Sequence, residues 1–301
     1  MPPHSVPYVV LLGILFGTTL VASRFAVGQF LPITYIGLRL VLASLGHLAI
    51  YAFFRRRRWP TGSVLWRRSA VIGIFATAIP MTAIVSSLQF QSSGLTAVLI
   101  TTSPAITVLM AHFFLPDEPL TRRKGLGILL ALSGALLLAI RGESGLPDVS
   151  QASPIGYGLV LVAMVSASGA TIYTRLYMRD LDALDVASVR MWVAAAAVMP
   201  LSLLLVGFDL DNVTSQGYTA LLYAALIGTF SGMMLAFYNI QRFGATASAM
   251  TSYVIPIVAG IAGVLLLGET ITKFMAIGMA LIIAGIALIN QRSQPARGVE
   301  V

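Results

Sequence analysis

Ten long apolar blocks, separated by short polar ones, make up nearly the whole of this 301-residue chain. They cover residues 8–27, 32–54, 69–90, 94–115, 125–140, 155–177, 184–206, 217–240, 245–267 and 274–290. Most hold the roughly 17–25 residues with which an α-helix crosses a bilayer. The pattern predicts an all-α membrane protein with ten transmembrane helices and no separate soluble domain. The first block lacks a basic leader and is followed by many others, so it reads as a retained helix and not a cleaved signal peptide.

The blocks repeat. Residues 94–141 are written a second time as residues 244–292: Gly94 matches Gly244 and Thr96 matches Thr246 at a spacing of 150, and after a one-residue insertion Glu118 matches Glu269, Thr121 matches Thr272 and Gly134 matches Gly285 at 151. Arg24 and Arg175, and Arg39 and Arg190, keep the spacing of 151 further upstream. The chain therefore divides into two five-helix repeats, residues 1–150 and 151–301, within one integral membrane domain. An odd number of spans makes the second repeat enter the membrane upside down. Inverted repeats of this kind mark secondary transporters, with the substrate near the midplane between the halves.

Composition agrees: 57% of residues are hydrophobic and 10% charged, against ~25% charged in a soluble domain. The formal charge of +8 reads as loop charge that orients helices, not as a nucleic-acid surface. Arg55, Arg56, Arg57, Arg58, Arg67, Arg68, Arg122, Arg123, Lys124, Arg179, Arg242, Arg292 and Arg297 fall on one face, and only Arg141 and Lys273 on the other. Basic loops stay cytoplasmic, which puts both termini in the cytoplasm of a multi-pass inner-membrane protein. The chain has no cysteine, so disulfides, thiolate metal sites and a cysteine nucleophile are excluded.

Two five-helix halves, an early arginine in the second span of each, a proline inside each fourth span and the elbow LPDEPLT, echoed as LLGETIT, together resemble the drug/metabolite transporter superfamily, specifically its EamA-type carriers. The resemblance covers essentially the whole chain and is nearest to the bacterial amino-acid exporter branch, including exporters of aromatic amino acids. It implies alternating access for small organic solutes, with spans five and ten peripheral and the other eight lining a cavity. The first elbow departs from the LGE pattern by reading LPDE, which bears on the turn there and not on the fold.

The chain carries no phosphate-binding GxxxxGK[ST] stretch, so it is not by itself an ATP-driven pump. His4, His47 and His112 are scattered, and no metal site or other cofactor is expected. All eleven acidic residues fall in loops, at helix ends or in the tail, whereas proton-driven carriers commonly place an ionisable relay at mid-depth. That favours a facilitator or exchanger, with a proton-coupled carrier as the alternative. Arg39 and Arg190 lie within spans and either hydrogen-bond neighbouring helices or orient a substrate carboxylate. The candidate binding set is completed by Thr19, Ser23, Thr82, Ser86, Thr101 and Ser103 in the first half, and Ser168, Thr171, Thr229 and Tyr253 in the second. Single hydroxyls more often serve their own backbone, but as a set they suit amino acids or related metabolites. Pro104 and Pro256 interrupt the fourth spans and are candidate hinges. An exporter of drugs or of sugar-linked metabolites is the rival carrier. An intramembrane enzyme would need a mid-depth catalytic constellation, which is absent, and a channel would show flux that does not saturate.

Overall fold

The computed structural model describes residues 3–53, 58–149, 151–208, 210–243 and 250–290. Among the described residues there is no strand, nine helices are long and apolar enough to cross a membrane, and one further apolar helix is shorter. We number them α1 (Val6–Val27), α2 (Pro32–Phe53), α3 (Ser63–Ser87), α4 (Ser93–Phe114), α5 (Arg122–Arg141), α6 (Pro154–Tyr177), α7 (Ala183–Val206), α8 (Ser215–Ile240), α9 (Thr251–Leu267) and α10 (Lys273–Asn290). The block expected at 245–267 is thus described only from its sixth residue, Met250, and 244–249 lie outside the described residues.

Helix ends follow local chemistry. The hydroxyls of Ser92, Thr121 and Thr214 accept N–H groups in the first turns of α4, α5 and α8, and the Asp182 carboxylate does so for α7, satisfying donors that have no partner inside the helix. α5, α7 and α9 stop on glycines in the left-handed conformation, Gly142, Gly207 and Gly268, as helices commonly do. Gly268 is the glycine of the second elbow. The first elbow has Asp117 at that place, and α4 ends differently: Leu115 is extended (φ −125°, ψ 107°), as a residue before proline prefers. α3 begins at Ser63, six residues ahead of the apolar block. Arg67 and Arg68, expected in a loop, therefore lie on its first turns, where Arg68 donates to the Tyr177 carbonyl at the end of α6.

Three helices are irregular within the bilayer. α3 turns π-helical at Ile74–Ala78 and α8 at Tyr223–Ser231, equivalent places in the two repeats. In α3 the cause is Pro80, which lacks an N–H. The π partner of the Phe75 carbonyl would be residue 80, and the Ser166 hydroxyl of α6 donates to that carbonyl instead, at 2.7 Å. In α8 the Thr229 and Ser231 hydroxyls reach back five residues to the carbonyls of Ala224 and Leu226, both at 2.8 Å. α4 breaks at Thr101 and Thr102 and restarts at Ser103, where Pro104 cannot bond the Ile100 carbonyl.

Packing pairs the halves crosswise. α1 lies on α9 and α6 on the second segment of α4; α2 lies on α7, the first segment of α3 on α7, and the π segment of α8 on α2. α5 and α10 pack together along their small residues: a Cβ added at Gly285 would meet the Gly127 carbonyl at 2.5 Å, and one at Gly134 would meet the Gly278 carbonyl at 2.7 Å. Backbones in such close contact gain dispersion energy that larger side chains would forbid.

Candidate functional site

A cavity of about 190 Å³ opens where α1, α2, α3, α4, α8 and α9 meet. Phe16, Thr19 and Leu20 come from α1, Arg39 from α2, Met81, Ile84 and Val85 from α3, Ile100 from α4, Gly228, Thr229 and Met233 from α8, and Ile255 from α9. Pockets for drug-sized ligands run to ~300–1,000 Å³, so this one suits a smaller solute. Among the described residues no carboxylate lines it. α5 and α10 stay outside, and so do α6 and α7, which the resemblance had placed among the lining helices. A larger concavity of about 710 Å³ between α3 and α6 is walled by Phe75, Leu161, Val162 and Val165, all of them exposed. It is a groove on the outer face and holds little chemistry.

Arg39 is the chemical centre of the inner cavity. It is 8% exposed; its Nε donates to the Thr229 hydroxyl at 2.7 Å and its Nη1 to the Ser23 hydroxyl at 3.1 Å. Ser23 is itself in contact with the Tyr35 hydroxyl, at 3.1 Å. The π segment of α8 aims Thr229 inward, and Gly228 makes room, since a Cβ there would fall 2.0 Å from the Thr19 hydroxyl. An arginine stays charged at any physiological pH, so the cavity holds a fixed cation, which the Tyr35 hydroxyl also hydrogen-bonds.

The other candidate residues scatter. Thr19, Arg39 and Thr229 line the cavity and Ser23 stands behind Arg39. Thr101 bonds the Ala97 carbonyl and, at 3.3 Å, the Ser252 carbonyl of α9, the one that Pro256 four residues on leaves without a helical donor. Ser168 accepts from Thr107 at 2.9 Å and its own hydroxyl lies 3.5 Å from the Ser103 carbonyl, so both belong to the α4–α6 contact. The Tyr253 hydroxyl accepts from Asn290 of α10 at 3.2 Å. Thr171 is exposed and returns its proton to the Ala167 carbonyl. Ser86 is half-buried outside the lining, and the Thr82 hydroxyl is buried with no partner among the described residues. Among the described residues Arg190 reaches the Met233 sulfur, at 3.5 Å. Met233, Met81 and Phe16 carried no signal as site residues, because an apolar side chain in an apolar block is ordinary. α9 runs unbroken through Pro256, whereas α4 breaks just before Pro104.

The two ends of the molecule differ. At one end the halves are laced together: Glu269 accepts from Ser93 and Gly94, and the Thr270 N–H donates to the Gly145 carbonyl at 2.9 Å, while within the first half the Ser92 N–H donates to the Ser144 carbonyl at 2.8 Å. Arg24 lies within electrostatic reach of that Glu269 carboxylate. At the other end Arg175 reaches Glu118 and Asp117, both at 2.7 Å, and Lys124 reaches Glu118 at 2.9 Å. No group of histidine, aspartate and glutamate side chains able to hold a metal ion occurs among the described residues.

Comparison with known proteins gives one consistent answer. The family model described as the EamA-like transporter family matches the chain twice, over residues 5–140 and 154–291. An uncharacterized transporter of Bacillus subtilis, YoaV, is 26% identical over 282 residues, covering 92% of this chain and 95% of its own. A probable amino-acid metabolite efflux pump of Salmonella typhimurium is 26% identical over 285 residues, covering 92% and 91%. One solved crystal structure superposes with a TM-score of 0.64 at 19% identity, covering 95% of this chain and 97% of its own, which speaks to the fold alone.

Proposed function

This chain belongs to the EamA-like transporter family, and from that membership we propose that it exports amino acids, aromatic ones included, or similar small metabolites across the bacterial inner membrane by alternating access. The observation that carries the reading is Arg39, a buried cation at the junction of six helices, braced by Ser23 and Thr229 and faced by no carboxylate among the described residues. A substrate carboxylate is the group it lacks. The name of the Salmonella relative points the same way.

The cycle follows from ten spans in two inverted repeats, residues 1–150 and 151–301, with both termini cytoplasmic. Crosswise packing supports the inversion, and so does a pair of matched contacts at opposite ends. Glu118 meets Arg175 at one end, while Glu269 lies near Arg24 at the other, and each residue is the repeat partner of its counterpart. In the conformation described, the Glu269 end is the closed, periplasmic gate. Its opening frees Glu269 to pair with Arg24, and Glu118 then leaves Arg175 to close the cytoplasmic end. Pro104 and Pro256 let half of α4 and of α9 swing during the exchange. With no acid among the described residues that line the cavity, the solute gradient drives the cycle.

Proteoliposomes offered a panel of labelled amino acids, with and without ionophores, test the reading. Saturable uptake that ionophores leave unchanged, and that Arg39→Gln weakens for amino acids more than for their amides, is the expected result. A proton-coupled cycle is the second reading, and it rests on His47 of α2, fully buried with Nε2 unpartnered among the described residues. Loss of transport when a protonophore is added would select it.

A further inference from the structure

A second arginine reaches the wall of the cavity from behind Met233. Thr229, which receives the Arg39 Nε at 2.7 Å, and Met233, whose sulfur meets Arg190 Nη2 at 3.5 Å, lie four positions apart on α8, and both line the cavity. Two guanidinium groups from the second helix of each repeat therefore converge on adjacent turns of one helix. Thioether sulfur is a weak acceptor, and Arg190 Nε is buried with no partner among the described residues. His47 stands near Arg190, its Nδ1 3.2 Å from the Ser188 hydroxyl. Among the described residues no aspartate or glutamate forms an ion pair with either arginine or acts on it electrostatically.

Burying a cation costs free energy that only an opposite charge or full hydrogen bonding offsets. A zwitterionic amino acid brings one carboxylate and one ammonium, so it leaves the sum of charge in the cavity where it was and adds a cation between two others. A solute without the ammonium cancels one of the two. We infer that the cavity is built for a net-anionic organic solute whose carboxylate bridges Arg39 and Arg190 once the flexible Met233 side chain moves aside. The inference rests on the carrier reading above and narrows its substrates to acidic or deaminated relatives of amino acids.

The test compares two ligands of one skeleton, L-phenylalanine and 3-phenylpropionate, which lacks the ammonium, by calorimetry on the full chain in nanodiscs. The anion is expected to bind at least about tenfold more tightly, and Arg190→Gln to bring the two within about threefold of each other. The comparison on the unaltered protein needs no variant. Arg190→Lys, which keeps the charge, is expected to keep the preference and covers the case in which the Gln protein does not fold. Phenylalanine binding as tightly as the anion, or a preference untouched by Arg190→Gln, would overturn the inference and leave amino-acid export standing. If neither ligand binds, the amino-acid reading fails and takes the inference with it.

Discussion

The carboxylate of Glu269, in the elbow after α9, sits on the first residues of α4: Oε1 accepts the Ser93 N–H at 2.7 Å, and Oε2 accepts the Ser93 hydroxyl at 2.8 Å and the Gly94 N–H at 3.2 Å. The two residues lie 176 positions apart. The first N–H groups of a helix have no internal partner and carry the positive end of its dipole, so a buried anion satisfies both needs at once. This single side chain ties the second elbow to the start of the broken helix of the first repeat.

Glu269→Ala removes those three contacts and leaves two backbone donors buried, and charge-assisted bonds of this kind contribute roughly 1.5–3 kcal/mol. Thermal unfolding of the purified variant should show a clear loss of stability, larger than that of Glu143→Ala, which removes one bond from Thr272. An unchanged midpoint would mean that the carboxylate holds nothing together.

Two glycines, one inside the α5–α10 contact and one outside it, give an internal control. A Cβ at Gly285 would meet backbone at 2.5 Å, whereas one at Gly125 meets nothing within 4 Å. Gly285→Ala should cost about 1–3 kcal/mol by overpacking, and Gly125→Ala should be neutral or slightly stabilising through helix propensity. Equal melting temperatures for the two variants would contradict the close approach.

Hydrogen bonds from Arg175, and then from Lys124, hold the Glu118 carboxyl below the ordinary carboxylate range. A depressed folded value means stability that is full above the ordinary value and lost as pH falls through the depressed one. The carboxylate is about a third exposed, so solvent screening keeps the effect small. Wild type should melt slightly above Glu118→Gln at pH 7 and the two should converge below the ordinary carboxylate range. A gap that persists in acid would rule out the ion pair as its source.

Orientation is open to direct labelling because the chain has no cysteine of its own. Gly145 is a poor site, with φ +68° and a Cβ that would fall 2.2 Å from the Ser92 hydroxyl; Asp148 and Gly62 are both exposed. On intact cells an impermeant thiol reagent should label Asp148→Cys and spare Gly62→Cys. The reverse pattern would invert the proposed topology.

The proline hinges predict a kinetic effect without a binding effect. Pro104→Ala restores a donor for the Ile100 carbonyl and stiffens the break in α4, so turnover should fall by about threefold or more while affinity holds. Pro256→Ala should do likewise, displacing the Thr101 hydroxyl from the Ser252 carbonyl. Counterflow rates at wild-type level in both variants would remove the prolines from the cycle.

The transmembrane helices and the duplication were legible in the sequence, because crossing a bilayer requires a long apolar block whatever its neighbours, and a repeat needs no coordinates. Arg39 was legible for a related reason, since a cation in such a block is conspicuous. The start of α3 at Ser63 was not, because a helix continues past the apolar boundary on polar residues. Nor was the division of labour among the hydroxyls. Thr171, Ser103 and Thr229 read alike in the chain, and only the packing of α8 against α2, through a π turn, brings Thr229 to Arg39. A hydroxyl in an apolar helix has its own backbone within reach as a partner, so its role is set by which helix lies against it, and that is a property of the tertiary structure.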